Sequence, residues 1–195
     1  MRFALGVVDA VRAVWPADKP VFFRTSAIDG TGGEWGIDDT LALARELKTH
    51  GVDVVDCSSG GITGDGALAA LPRVPGYQAG YAREIKQEVG IATAAVGLIT
   101  EPSHAEAILR DGHADLIALA RELMDNPNWP LHAARVLGYA DPLDLVHARE
   151  AQRLQLREQH RKQYPPGIEV KIPFGPSEEV PYSWAARNPG PRVSR

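Results

Sequence analysis

Apolar positions recur along this chain in two alternating rhythms. In residues 2–14, Phe3, Val7, Val11 and Val14 share one helical stripe, and Pro16 closes the segment. Residues 20–25 make a short apolar run, read as the first strand. Helical spacing returns over 38–50, with Ile37, Leu41, Ala44 and Leu47 on one face and Gly51 as a C-terminal stop. The second strand is 52–57, and a third helix spans 77–89 with Tyr81, Ile85 and Val89 aligned. The third strand is 92–96. A helix begins near 102, with Thr100 as its cap, Pro102 in its first turn and Gly112 at its end. The fourth strand is 115–119, followed by helical stretches near 121–125 and 128–137.

Strands alternating with helices predict an α/β fold of parallel βα units with right-handed crossovers. The strands read as nearly continuous apolar runs, which predicts a sheet covered on both faces. Beyond 140 the pattern weakens. Residues 141–163 read as a charged helix in which Leu143, Val146 and Leu154 are only loosely periodic. Residues 164–195 hold Pro165, Pro166, Pro173, Pro176, Pro181, Pro189 and Pro191, a density that prevents long regular structure. The expected organisation is therefore a body over 1–140 and a tail over 141–195, draped or disordered beyond 164. No internal repeat is visible.

Composition narrows the class. An apolar content of 44% and 195 residues suit one domain with a real core. A net charge of −4 gives no reason to expect a nucleic-acid partner. The charge is uneven: residues 151–195 carry eight Lys/Arg against four Asp/Glu, either a solvated tail or one that docks on an acidic neighbour. The single cysteine, Cys57, excludes an intrachain disulfide and suits a reducing compartment. No run approaches the ~20 apolar residues of a membrane span, and the first residues lack a signal-peptide core. These features predict a cytoplasmic protein.

Candidate chemistry concentrates in residues 91–123. Gly97 ends the third strand and lets a backbone approach closely. Arg121 follows the fourth and opens a helix, where free N–H groups face outward. Consecutive strand ends of this kind hold phosphate in (β/α)8 barrels. Arg24 ends the first strand, where its guanidinium must meet an anion, a neighbouring acid or water. Ser58 and Ser59 either line the same mouth or simply make a turn. The glycine-rich loop 29–36 lacks Gly-x-Gly-x-x-Gly spacing. None of the histidines (His50, His104, His113, His132, His147, His160) ends a strand, and no metal-ligand spacing occurs. Asp53 and Asp56 lie on opposite faces of their strand and make no acid–base pair.

Several blocks, in this order and spacing, resemble the Old Yellow Enzyme family of FMN-dependent NAD(P)H oxidoreductases. They are Val21-Phe-Phe-Arg24-Thr-Ser-Ala, Gly51-Val-Asp-Val-Val-Asp-Cys-Ser-Ser-Gly60, Ala95-Val-Gly97-Leu-Ile, Ala114-Asp-Leu-Ile-Ala-Leu-Ala-Arg121-Glu-Leu and Asn126-Pro-Asn-Trp129-Pro. The resemblance covers roughly residues 1–140 and is nearest the bacterial ene-reductases. It implies half of a (β/α)8 TIM barrel, strands 5 to 8 with their helices, in a chain that is a truncated reading frame, a fragment, or a half-barrel needing a partner.

It further implies FMN as cofactor, NAD(P)H as reductant and an activated alkene as substrate. Arg24 would lie beside N1 and O2 of the flavin. Val96 and Gly97 would meet the phosphate through their backbone, and Ala120 and Arg121 would complete the grip; many relatives carry Gly where Ala120 stands. The histidine pair (or His/Asn) that binds the substrate carbonyl and the tyrosine proton donor have no counterpart here, so no catalytic residue and no metal ligand is assigned. Little or no turnover is expected. In one branch a C-terminal arginine enters the neighbouring subunit's site, a role open to Arg187 or Arg192, and a homo-oligomer is possible. Two other readings stay open: a flavin-free phosphate-binding barrel such as an aldolase or epimerase, and a non-catalytic half-barrel that dimerises.

Overall fold

Four parallel strands form one sheet in the order β1 (Phe22–Ser26), β2 (Val54–Ser58), β3 (Ala92–Ala95) and β4 (Leu116–Ile117). The computed structural model describes residues 1–29, 34–60 and 73–164. Part of the glycine-rich loop, 30–33, and the proline-rich segment from 165 onward lie outside the described residues. The strand order never reverses, so each right-handed crossover places its helix on the same side of the sheet. That is the winding of a barrel wall; a doubly wound sheet reverses at a switch point. The helices are α1 (Arg2–Arg12), α2 (Ile37–Thr49), α3 (Ala79–Val89), α4 (Pro102–Arg110), α5 (Arg121–Asp125) and α6 (Trp129–Val136), then a 3-10 turn (Pro142–Leu145) and α7 (Ala148–Gln163).

The register places Phe23, Val55 and Thr93 side by side, and likewise Thr25, Cys57 and Ala95. Of these, Val55, Cys57 and Ala95 belong to the hydrophobic core, with Leu41, Ala44 and Leu47 of α2, Ala82 and Ile85 of α3 and Ile108 of α4. Removing a side chain such as Leu47 or Ile85 from water contributes about 1.5–3 kcal/mol. The other face carries Phe22 and Arg24 of β1, Asp56 of β2, Ala94 of β3 and Leu116 of β4. Here the edge strands are open: Phe22 is 52% and Leu116 42% exposed. Toward the middle of the sheet the same face is buried, Val54 being 7% and Ala94 4% exposed, so the expected cover on both faces is met at the central strands and missing at the edges. Apolar runs arise equally when one face meets helices and the other lines a concave wall.

Other expectations shift as well. The α1 stripe of Phe3, Val7, Val11 and Val14 points outward, Phe3 being 87% and Val14 84% exposed, and Val8 is the buried residue of that helix. The fourth strand shrinks to two residues. Glu101 takes the N-cap position of α4 with no side-chain cap bond, so Thr100 does not cap it. The charged helix starts at Ala148, after the 3-10 turn. The chain divides into two units, Met1–Val146 and His147–Arg195.

A repeat that the sequence hides appears at the N-terminal ends of the strands. Asp53, just before β2, accepts the N–H of Val21 at 2.7 Å and pairs with Arg12 of α1. Asp115, just before β4, accepts the N–H of Thr93 at 2.9 Å and pairs with Lys86 of α3 at 2.9 Å. Each aspartate ties one strand to its neighbour and to the helix that leads into that neighbour. Burial pushes Asp115 upward, but the hydrogen bonds from Lys86 and Thr93, with the Lys86 charge, outweigh it and hold the carboxyl below its ordinary value. Arg12 also donates to the carbonyl of Gly51 at 2.6 Å. Gly51 sits at φ +85 with its Cα facing that same side chain.

Candidate functional site

At the opposite end of the sheet the strand ends surround a cleft of about 450 Å³, within the roughly 300–1,000 Å³ range of small-molecule sites. Arg24, Val96, Gly97, Ala120 and Arg121 all line it. The structure thus brings together all five residues singled out in the sequence, although they span nearly a hundred positions.

The loop after β3 is the most constrained wall. Gly97 has φ +119, which side-chain-bearing residues rarely adopt. A Cβ there would lie 2.9 Å from Tyr77 Cε1 and 3.1 Å from Gln78 Oε1. Leu98 follows at φ 52, a second left-handed residue. The Gly97 carbonyl is held by the N–H of Gly76 at 2.7 Å, while the N–H groups of Gly97 and Leu98 meet no backbone acceptor among the described residues. Successive left-handed or turn residues with free N–H groups form concavities that accept anions.

After β4, Ala120 precedes α5 with φ −122 and ψ −86, and Arg121 is its first residue. The helix has only five residues, so its dipole is slight and any anion affinity here comes from the free amides and the guanidinium. Arg121 is exposed and forms no ion pair among the described residues. Glu122 and Asp125 of the same helix also line the cleft, so it is not uniformly positive. The loop before α4 is pinned from below: Trp129, buried at the start of α6, donates its indole N–H to the carbonyl of Thr100 at 2.9 Å.

Arg24 is 57% exposed and makes an ion pair with Asp56, Nη1 to Oδ2, at 2.7 Å. Its Nη2 donates to Ser58 Oγ at 3.2 Å. The ion-pair reading of Arg24 is thus met, and the residue also lines the cleft, although it is the middle residue of β1 and not its end as the sequence suggested. Gln78, 3% exposed, donates to Ser59 Oγ at 2.7 Å and braces the turn after β2 against the Gly97 loop. Ser58 and Ser59 line the cleft with it. Cys57 does not: it faces the helices, and burial, helped by the Asp56 charge, pushes its thiol up to about 12. It is an inert packing residue.

Sequence reasoning missed Tyr77, Gln78 and Asp56. Gln78 carried one weak signal, a polar side chain at the start of an otherwise apolar helix face; Tyr77 carried none. Asp56 was considered only as a partner for Asp53, and its cross-strand neighbour Arg24 becomes visible only through the register.

With the cleft described, comparison with known proteins gives its class. The model of the NADH:flavin oxidoreductase / NADH oxidase family matches residues 1–138. The chain belongs to this family, the Old Yellow Enzyme family, whose cofactor is FMN with NAD(P)H as reductant. It is 47% identical over 137 residues to an NADPH dehydrogenase of Geobacillus sp. (strain WCH70), covering 70% of this chain and 38% of that protein. It is 44% identical over 137 residues to an NADPH dehydrogenase of Halalkalibacterium halodurans, with 70% and 39% covered. The NADPH dehydrogenase of Bacillus subtilis (strain 168) is 40% identical over 148 residues, with 76% and 42% covered. The chain spans about two fifths of the length of these relatives.

Proposed function

We propose that this chain forms the phosphate-binding half of an FMN-dependent, ene-reductase-type NAD(P)H oxidoreductase, corresponding to strands 5–8 of a (β/α)8 barrel. One observation carries this reading: the guanidinium of Arg24 on β1, the amides of the loop after β3 and the Arg121 guanidinium after β4 converge on one cleft. The Gly97 cradle, which a Cβ would fill, and Arg121, which makes no ion pair among the described residues, fit a phosphate monoester. Val96 and Gly97 would hold it through the backbone, with Ala120 and Arg121 closing the other side. Ala120 presents only a methyl group where close approach is needed. Arg24 would face the flavin ring and stabilise negative charge there. FMN itself supplies hydride chemistry between NAD(P)H and an activated alkene. The protein's own part is to bind, orient and balance charge.

Titration of the purified chain with FMN, followed by flavin fluorescence, tests this. FMN is expected to bind at least about tenfold more tightly than riboflavin, as two charge-assisted phosphate contacts require. Equal affinity for the two would remove the phosphate clamp. Enone reduction by the purified chain is expected to be negligible, because no histidine is among the described residues that line the cleft; robust turnover would overturn that division of labour. A cytoplasmic location fits the chemistry, and no helix among the described residues is long and apolar enough to cross a membrane.

A second reading, a half-barrel that pairs with another copy, is favoured by the open edges of β1 and β4 and by the outward α1 stripe, which lines a groove of about 530 Å³. Size-exclusion chromatography decides it: a folded dimer indifferent to FMN supports the pairing and removes the flavin role.

A further inference from the structure

The carboxylate of Asp56 lies deeper beside the cleft than the Arg24 guanidinium it pairs with. Its side chain is 18% exposed against 57% for Arg24. Backbone register sets Asp56 directly beside Arg24 on one side and Ala94 on the other, all on one face of the sheet. One oxygen, Oδ2, accepts from Arg24 Nη1 at 2.7 Å. The other, Oδ1, is buried with no partner among the described residues. A half-buried carboxylate with a single partner depends on that partner, since removing it leaves a charge without compensation. Arg24, by contrast, is a long side chain largely in solvent, with several rotamers open to it. Of the two, Asp56 is the fixed member and Arg24 the one that is held.

The remaining contact completes the clamp. Arg24 Nη2 donates to Ser58 Oγ at 3.2 Å, so both terminal nitrogens are engaged by β2. Ser58 in turn sits at the turn that Gln78 braces against the Gly97 loop. A guanidinium has five N–H groups in a rigid fork. With one N–H from each terminal nitrogen committed to β2, the others stay available toward the cleft.

We propose that Asp56 is a positioning residue for Arg24: it fixes the guanidinium at the cleft mouth, so that Arg24 meets the flavin ring as a preset cation and not as a mobile one. This rests on the flavin reading above. It predicts a sign that no simpler role shares. Arg24 favours the reduced, more negative flavin over the oxidised one. If Asp56 acts only through its charge, deleting it brings the flavin more net positive charge, and the preference for reduced FMN rises. If Asp56 positions Arg24, deleting it releases the guanidinium, and the preference falls.

The test measures affinities of the full 195-residue chain for oxidised and chemically reduced FMN, together with thermal stability. The ratio of reduced to oxidised affinity is expected to fall about tenfold in Asp56→Ala, the scale of losing one well-placed opposite charge. Asp56→Asn keeps the shape and one acceptor, guards against loss through unfolding, and is expected to fall about threefold. In an Arg24→Leu background, Asp56→Ala is expected to cause no further fall, because the two residues act as one unit. A ratio that rises, or one that holds while the melting temperature drops, overturns the proposal and leaves the flavin reading standing. Failure of the unaltered chain to take up FMN at all removes that reading, and this inference with it.

Discussion

The two ends of the sheet are built on opposite plans. At the N-terminal end, charges are matched across elements: Asp53 with Arg12, Asp115 with Lys86, and the Lys48 ammonium donating to the carbonyls of Val89 and Gly90 at 2.9 and 3.0 Å. At the C-terminal end, among the described residues, Arg121 forms no ion pair and the N–H groups of Gly97 and Leu98 meet no backbone acceptor, while both residues hold left-handed backbone. One end pairs its charges across elements; the other pairs Arg24 with Asp56 but leaves Arg121 without an ion pair among the described residues. In barrel folds the first kind of end carries stability and the second carries chemistry. Here the division is readable from hydrogen-bond satisfaction alone, because an unmet buried donor is costly unless something outside the chain meets it.

Substitutions at the two ends should therefore separate binding from stability. The largest effect is expected for Gly97→Val. Its Cβ meets Tyr77 and its φ is strained, so FMN binding should drop by more than about a hundredfold and stability by about 2 kcal/mol or more. Unchanged FMN affinity would remove the cradle from the site. Next, Arg12→Ala at the other end removes a donor from each of Gly51, Lys19 and Asp53 and should cost about 2 kcal/mol in denaturant unfolding, with FMN affinity intact. A matching loss of affinity would show that the two ends are not independent.

Arg121→Ala should do the reverse, weakening FMN about tenfold while leaving the melting temperature in place, since the side chain is exposed and makes no ion pair among the described residues. The smallest effect belongs to Asp115→Asn. Its folded pKa is lowered, so the stability it contributes is present above the unfolded carboxylate value near about 4 and is lost as pH falls through the lower folded value. Because the group is 38% exposed, solvent screening limits the cost to about 1 kcal/mol or less at neutral pH. The variant and the parent should converge in urea melts at acid pH; a constant gap down to strong acid would show that Asp115 works by shape alone.

The elements themselves were largely legible, and the reason is local. Gly51 and Gly112 stop helices by adopting φ of +85 and +74, which the sequence announces at both positions. Pro102 starts α4 for the same kind of reason. What failed depended on distant neighbours. Periodicity gave α1 an apolar stripe but not its direction, because the stripe on Phe3, Val7, Val11 and Val14 is as regular facing out as facing in. The fourth strand was overlong because Ala118 and Leu119 are apolar yet belong to the cleft wall, where the ladder has ended. The repeat of Asp53 and Asp115 escaped notice since its partners, Arg12, Val21, Lys86 and Thr93, match in space and not in spacing.

By itself the sequence determined the alternation of strands and helices, the family, and which strand ends carry glycine or arginine, since these depend on side-chain periodicity and on backbone conformations that few residues adopt. Only the tertiary structure decided that Arg24 shares its charge with Asp56, that Gln78 and Tyr77 wall the Gly97 loop, and that the edge strands leave Phe22 and Leu116 exposed. Those facts come from register and from packing between segments far apart in the chain, and neither is written in any local stretch of residues.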